Sequence, residues 1–142
     1  AIGEILIKDK PERKERINLL ISKFELEAVQ DTRAGQLSGG QKKKLVIALS
    51  LLGNPKIILM DEPFAALDVM TINILQQIIV NLQSENNISI ILCDHQARDL
   101  LSCVDTAIVI SNCKVIAKGT PTELVNNIDA KNAYFGNSFK IN

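Results

Sequence analysis

An α/β fold, a mostly parallel sheet flanked by helices with an antiparallel hairpin at its edge, is what this sequence predicts. Two short apolar runs rich in β-branched residues, "KIILM" at 56–60 and "ISIILC" at 88–93, have the length and composition of strands buried on both faces of a parallel sheet. Between them, Met70, Ile74, Ile78 and Leu82 recur at helical spacing over 69–84, giving the order strand, helix, strand of a βαβ unit. Two further apolar runs, "TAIVI" at 106–110 and "KVIAKG" at 114–119, flank "SNC", which reads as the turn of the edge hairpin.

The remaining elements follow in order. Residues 11–26 read as an amphipathic helix, with Pro11 in the first turn and Ile17, Leu20, Ile21 and Phe24 on one face. A polar connection over 28–37 leads to a second helix, about 40–52, whose stripe is Leu45, Ala48, Leu49 and Leu52, and "GNP" at 53–55 stops it. A short helix is expected over 96–102. In "TPTE", 120–123, Thr120 suits an N-cap, Pro121 the first helical position and Glu123 the third, the pattern of a capping box opening a last short helix. The tail beyond holds the only tyrosine and two of the four phenylalanines, which suits a segment that docks on some surface.

The 142 residues are 46% hydrophobic, enough to bury a real core and unlike a disordered chain. No run of about 18 apolar residues is present, and charges come too early in "AIGEILIKDKPERKER" for a secretory signal, so a cytosolic location is expected. Net charge is zero, split as +4 over 1–56 and −4 over 57–142. That modest split, with Lys42, Lys43 and Lys44 as the only compact basic run and 4% aromatics, argues against a nucleic-acid partner. Cys93, Cys103 and Cys113 match no zinc spacing and are expected to be buried, reduced thiols; His95 is the lone histidine.

Candidate chemistry sits at strand ends and one helix start. Asp61 and Glu62 follow the first strand at its carboxyl end, where open α/β sheets place ligands. They suit a metal-holding Asp and a Glu that orients or deprotonates water, or simply a strand ending in polar residues. His95 follows the next strand in the same way, so it could converge with Glu62 on one reacting group, or be an ordinary loop histidine. Ser38, Gly39, Gly40 and Gln41, in "LSGGQ", open a helix whose unpaired N–H groups and dipole favour an anion; without a ligand the same residues are an N-cap and flexible glycines. The lysines 42–44 are expected on a solvated helix face.

Each feature alone is weak, but "LSGGQ", a helix, "IILMDEP", "AALD" and a histidine after the following strand occur in that order. The chain resembles the ATP-binding subunits of ABC transporters over essentially its whole length. "LSGGQ" is similar to the family's signature, "IILMDEP" to Walker B, "AALD" at 65–68 to the D-loop, and His95 to the switch histidine. The resemblance implies a partial ABC ATPase domain over 1–142: a signature-motif helical region at 1–52, and at 53–142 an α/β part with Walker B, D-loop, His switch and tail. No loop ending in Gly-Lys-Ser/Thr occurs in these residues. The expectation is therefore the carboxyl-terminal part of a longer subunit, inactive by itself.

By the same resemblance, Ser38, Gly39, Gly40 and Gln41 would complete the ATP site of a second subunit in a head-to-tail homodimer. Asp61 would hold Mg²⁺, Glu62 would act on the attacking water, His95 would contact the γ-phosphate, and Asp68 would link the two sites. Transmembrane subunits would be the other partners, with the protein peripheral on the cytosolic face of the inner membrane. Two departures from the family pattern are Leu49, where arginine is usual, and Val69, where proline is frequent. The tail "GTPTELVNN…KNAYFGNSFKIN" is similar to lipopolysaccharide-export ATPases, through Tyr134, Phe135, Gly136 and Phe139. Branched-chain amino-acid importer ATPases, a non-transport ABC ATPase, and a catalytically dead dimerisation module are the alternatives.

Overall fold

The computed structural model describes residues 2–136 and 139. A short helix α1, Ile2–Leu6, is followed by α2, Lys10–Lys23, whose N-cap Asp9 accepts from the Glu12 N–H. Helix α2 ends three residues before its expected limit because Phe24 turns fully into the core and Glu25 takes a left-handed φ of 54°. Two 3₁₀ turns, Glu27–Val29 and Ala34–Gln36, make up the polar connection. Helix α3 spans Gly39–Leu51, β1 Ile57–Asp61, α4 Val69–Asn86 and β2 Ser89–Cys93. Asn87 closes α4 in the left-handed conformation, with φ 56°. Then come α5, Ala97–Leu101; the strands β3, Ala107–Ser111, and β4, Lys114–Gly119; helices α6, Pro121–Asn126, and α7, Ile128–Ala130; and a π-helical turn at Lys131–Phe135.

Strands β1 and β2 pair in parallel, Ile57 opposite Ser89 through Asp61 opposite Cys93, with α4 as the crossover. Strands β3 and β4 pair antiparallel through a two-residue turn in which Asn112 and Cys113 both have positive φ, the geometry that matches strand twist in a tight hairpin. The hairpin is a separate two-stranded sheet and not the edge of the parallel one, which is where the expectation had put it. Its packing partners explain this: Val109 and Ala117 join Leu101, Leu124 and Ala130 in a small core of their own.

The main core gathers Phe24, Leu26, Ile47, Leu51, Ile58, Phe64, Leu75 and Leu82 from α2, α3, β1, α4 and the loops between them. Leu100 packs against both cores and joins them. Three expected faces need correction. On α4 the buried stripe is Ile72, Leu75, Ile79 and Leu82, while Met70 is 72% exposed; both stripes fit a 3.6 period, and only packing selects between them. On α3 the buried residues are Ile47, Ala48, Leu51 and Leu52, with Leu45 and Leu49 at the margin. Neither β1 nor β2 is buried on both faces: Ile58 and Met60 meet the core, whereas Leu59 is 75% exposed and Ile57 and Ile91 are exposed beside it. The described helices cover only one side of this sheet.

The cysteines also differ from expectation. All three are free, but Cys93 and Cys113 are exposed and only Cys103 is partly buried. Burial, helped by the Asp99 charge, pushes the Cys103 thiol up to about 11. The capping box at Thr120 forms as its sequence indicates, with the Glu123 N–H donating to Thr120 Oγ1 and the Thr120 N–H to Glu123 Oε2.

Candidate functional site

Parallel pairing brings the carboxyl ends of β1 and β2 side by side, and the catalytic candidates lie there. Asp61 is the last residue of β1, exposed, in register with Cys93. The Glu62 N–H donates to the Cys93 carbonyl at 2.7 Å, continuing the ladder one step past the strand. Glu62 then turns the chain with φ 45°, a left-handed conformation that costs a side-chain-bearing residue roughly 1–2 kcal/mol. Its carboxylate oxygen Oε1 lies 3.4 Å from His95 Nδ1, and both side chains are more than half exposed. The two residues expected to converge are therefore in contact range at an open surface.

Two side chains hold this arrangement: Asp94, which the sequence reading did not single out, and Lys43, which it expected on a solvated face. The Asp94 side chain is fully buried; its Oδ2 accepts from the Phe64 N–H at 3.1 Å and its Oδ1 from the Gln96 N–H at 2.9 Å. One carboxylate thus ties the loop after β1 to the loop after β2, on either side of the Glu62–His95 pair. The signal was an acid directly after a buried-type strand, which requires hydrogen-bond donors if it is buried. The second is Lys43, whose ammonium donates to the Glu62 carbonyl at 2.6 Å, anchoring α3 to the strained residue. Lys44 is likewise engaged: it pairs with Glu25 at 2.9 Å and its side chain is only 12% exposed. Its proximity holds the Glu25 carboxyl below the usual range. The solvated lysine face is thus confined to Lys42. Tyr134, in the tail, donates its hydroxyl to the His95 carbonyl at 2.9 Å. Phe135 and Phe139 stack beside it with ring centroids 4.7 Å apart, so the tail docks on the His95 loop. Asn137, Ser138 and residues 140–142 lie outside the described residues.

The signature turn is built as a capping box. Ser38 Oγ accepts from the Gln41 N–H at 3.2 Å, and Gln41 Oε1 accepts from the Ser38 N–H at 2.9 Å. The N–H groups of Gly39 and Gly40 are the donors this box leaves open at the start of a 13-residue helix. Such a turn can act as an N-cap and still face an anion, because the two uses employ different N–H groups. Asp68 caps α4 by accepting from the Thr71 N–H at 3.0 Å and the Thr71 hydroxyl at 2.6 Å, which hold its carboxyl below the ordinary range. Ser38, Gly39, Gly40, Gln41 and Asp68 thus belong to two helix starts, whereas Glu62 and His95 meet at the strand ends. Among the described residues no cluster of three or more His, Cys, Asp or Glu side chains forms a metal cage. Asp61, exposed at the end of β1, leaves one carboxylate open beside Glu62, a hard oxygen donor of the kind Mg²⁺ accepts.

The chain has the α/β fold of part of an ABC ATPase domain and is similar to the ATP-binding subunits of ABC transporters; residues 2–65 match the ABC transporter family. Among individual relatives it is similar to the lipopolysaccharide export system ATP-binding protein LptB of Escherichia coli K12, 35% identical over 130 residues, covering 92% of this chain and 54% of that protein. Among solved structures, the ATP-binding cassette MJ1267 superposes with a TM-score of 0.81 at 26% identity, over 95% of this chain and 60% of that one. The cbiO1 structure from Clostridium perfringens gives 0.78 at 29% identity, over 87% and 49%. The chain spans about half the length of the curated relatives it matches.

Proposed function

We propose that this chain supplies the signature turn and the hydrolytic residues of an ATP-hydrolysing, energy-coupling subunit of a membrane ABC transporter, and that the transporter exports lipopolysaccharide. The contact between Glu62 and His95, 3.4 Å apart at adjacent strand ends, carries the reading. Within it Glu62 orients or deprotonates the attacking water, His95 contacts the γ-phosphate, and Asp61 holds Mg²⁺ together with the phosphates. Ser38, Gly39, Gly40 and Gln41 face the ATP of a second subunit in a head-to-tail homodimer, and Asp68 lies between the two sites. No helix among the described residues is long and apolar enough to cross a membrane, so membrane attachment in this reading comes through transmembrane partner subunits. The similarity to the lipopolysaccharide-export protein of E. coli supports the choice of cargo.

The test is a chimera joining residues 1–142 to the amino-terminal part of that E. coli protein, with its phosphate-binding loop. The chimera should hydrolyse ATP, and Glu62→Gln should lower turnover by about 10²–10⁴-fold, the usual contribution of a general base. Lipopolysaccharide movement by an exporter assembled with the chimera tests the cargo; hydrolysis without transport would point to another substrate. Residues 1–142 alone should show no steady hydrolysis. A rate from them that Glu62→Gln abolishes would overturn the assignment of a phosphate loop elsewhere.

A further inference from the structure

The signature turn and the D-loop are read as separate motifs, yet the starts of α3 and α4 touch at one point. A Cβ built on Gly40 would stand 2.7 Å from Thr71 Cγ2 and 3.3 Å from Thr71 Oγ1, whereas one on Gly39 would meet only Leu67 at an ordinary 3.7 Å. Contacts under about 3 Å do not occur between real carbons, so position 40 accepts no side chain while Thr71 keeps its present rotamer. That rotamer is fixed from the other side: the Thr71 hydroxyl donates to Asp68 Oδ2 at 2.6 Å. Turning the methyl away from Gly40 would turn the hydroxyl away from Asp68.

We propose that Gly40 and Thr71 form a matched socket and peg that fixes the signature turn relative to Asp68, making Thr71 a positioning residue that acts through Asp68 and α3. The significance for catalysis rests on the proposed ATPase role, in which both elements meet the second subunit. Within one chain the pair sets the offset between the glycine N–H groups and the Asp68 carboxylate. Gly40 then has an internal steric role separate from any contact with phosphate, and Gly39 does not share it. Gly40→Ala makes Thr71 rotate its methyl away and release Asp68, because one side chain gives way more readily than a packed helix.

The experiment uses the 142-residue chain without nucleotide, as wild type, Gly40→Ala, Thr71→Ser and the double variant. Two quantities are read: the thermal midpoint, and the titration of the Asp68 carboxyl followed by carbon NMR. Asp68 starts below its ordinary value because of the Thr71 hydrogen bonds. Gly40→Ala should raise it toward that value and lower the midpoint by about 5 °C or more, as overpacking does in a small domain. Thr71→Ser, which keeps the hydroxyl and deletes the methyl, should change neither appreciably. The double variant should recover the Asp68 titration and most of the midpoint. If Gly40→Ala does not fold, a folded double variant supports the pairing and an unfolded one overturns it. An unchanged Asp68 titration in Gly40→Ala, or additive losses in the double variant, also overturns it. Because no readout involves ATP, this outcome is independent of hydrolysis by the chimera.

Discussion

The two faces of the β1–β2 sheet are made of similar residues and meet different surroundings. Ile58, Met60, Ile90 and Leu92 lie against the helices, while Ile57, Leu59 and Ile91 face outward and are exposed. The hairpin sheet repeats the contrast, with Val109 and Ala117 buried and Ile108, Ile110 and Val115 exposed. A parallel sheet reads as a continuous apolar run when both sides are covered, and an alternating pattern when one side is wet. These strands carry the first kind of sequence in the second kind of setting. Burial is therefore a property of what covers a strand, and the strand's own composition does not reveal which side is covered.

Adjacent residues of β1 sharpen this contrast most. Ile58→Ala removes a side chain that is 6% exposed in the core and should cost about 2–5 kcal/mol, including the cavity left behind. Leu59→Ala, one residue along, removes one that is 75% exposed and should stay within about 0.5 kcal/mol. Urea unfolding at several protein concentrations measures both. Comparable losses at the two positions would break the contrast, and a concentration-dependent loss at Leu59 would identify a second copy as the cover.

At the carboxyl end of the sheet the asymmetry is closed by Asp94. Asp94→Ala would remove the acceptor of the Phe64 and Gln96 N–H groups, a loss of about 2–3 kcal/mol for charge-assisted bonds in a buried position. Asp94→Asn retains one acceptor and should lose less. Hydrogen exchange at Phe64 and Gln96 is the direct readout: acceleration at both amides in Asp94→Ala is expected, and unchanged exchange would show that the loops hold without the clamp.

Much of the fold was legible because the relevant signals are local. Caps announce themselves: Ser38 with Gln41 and Thr120 with Glu123 form the reciprocal bonds their spacing implies. The Glu62–His95 approach was legible once both were placed at ends of neighbouring parallel strands. The α4 stripe was not, because Met70, Ile74, Ile78, Leu82 and Ile72, Leu75, Ile79, Leu82 are both helical series, and the choice is made by tertiary packing. Asp94 and the anchoring contact of Lys43 were missed for a related reason. Asp94 joins the Phe64 amide, 30 residues away, to the Gln96 amide beside it, and Lys43 reaches a carbonyl 19 residues away, which side-chain motifs do not encode. The lysine run looked solvated for the same cause, since Glu25 comes within reach of Lys44 only after α2 and α3 pack.

The cysteines probe the two sides with chemistry. Cys93 lies on the outward face of β2, whereas Cys103 packs beside the core with its thiol pushed up to about 11. At pH 8 only about one Cys103 in a thousand is thiolate, the reactive form. Iodoacetamide should therefore label Cys93 and Cys113 well before Cys103, by at least an order of magnitude in rate as read by peptide mass spectrometry. Protection of Cys93 to the level of Cys103 would mean that the outward face is covered in solution.

The smallest effect concerns α6, which supplies Leu124 to the covered face of the hairpin sheet. The Thr120 amide and hydroxyl hold the Glu123 carboxyl below its usual 4.5. A depressed carboxyl stabilises the fold above its unfolded value, and the contribution disappears as pH falls through the lower folded value. The fold should accordingly lose this increment below about pH 4.5, together with that of Glu25, and that of Asp68 below about pH 3.8. Glu123 is fully exposed, so the change is a shallow slope in the thermal midpoint between pH 5 and 3. Glu123→Gln keeps a side-chain acceptor but has no proton to take up, and should flatten that slope while leaving the midpoint at pH 7 slightly lower. An unchanged slope would assign the acid sensitivity to the other depressed carboxyls, Asp68, Glu25 and Glu4, which lie outside the hairpin core.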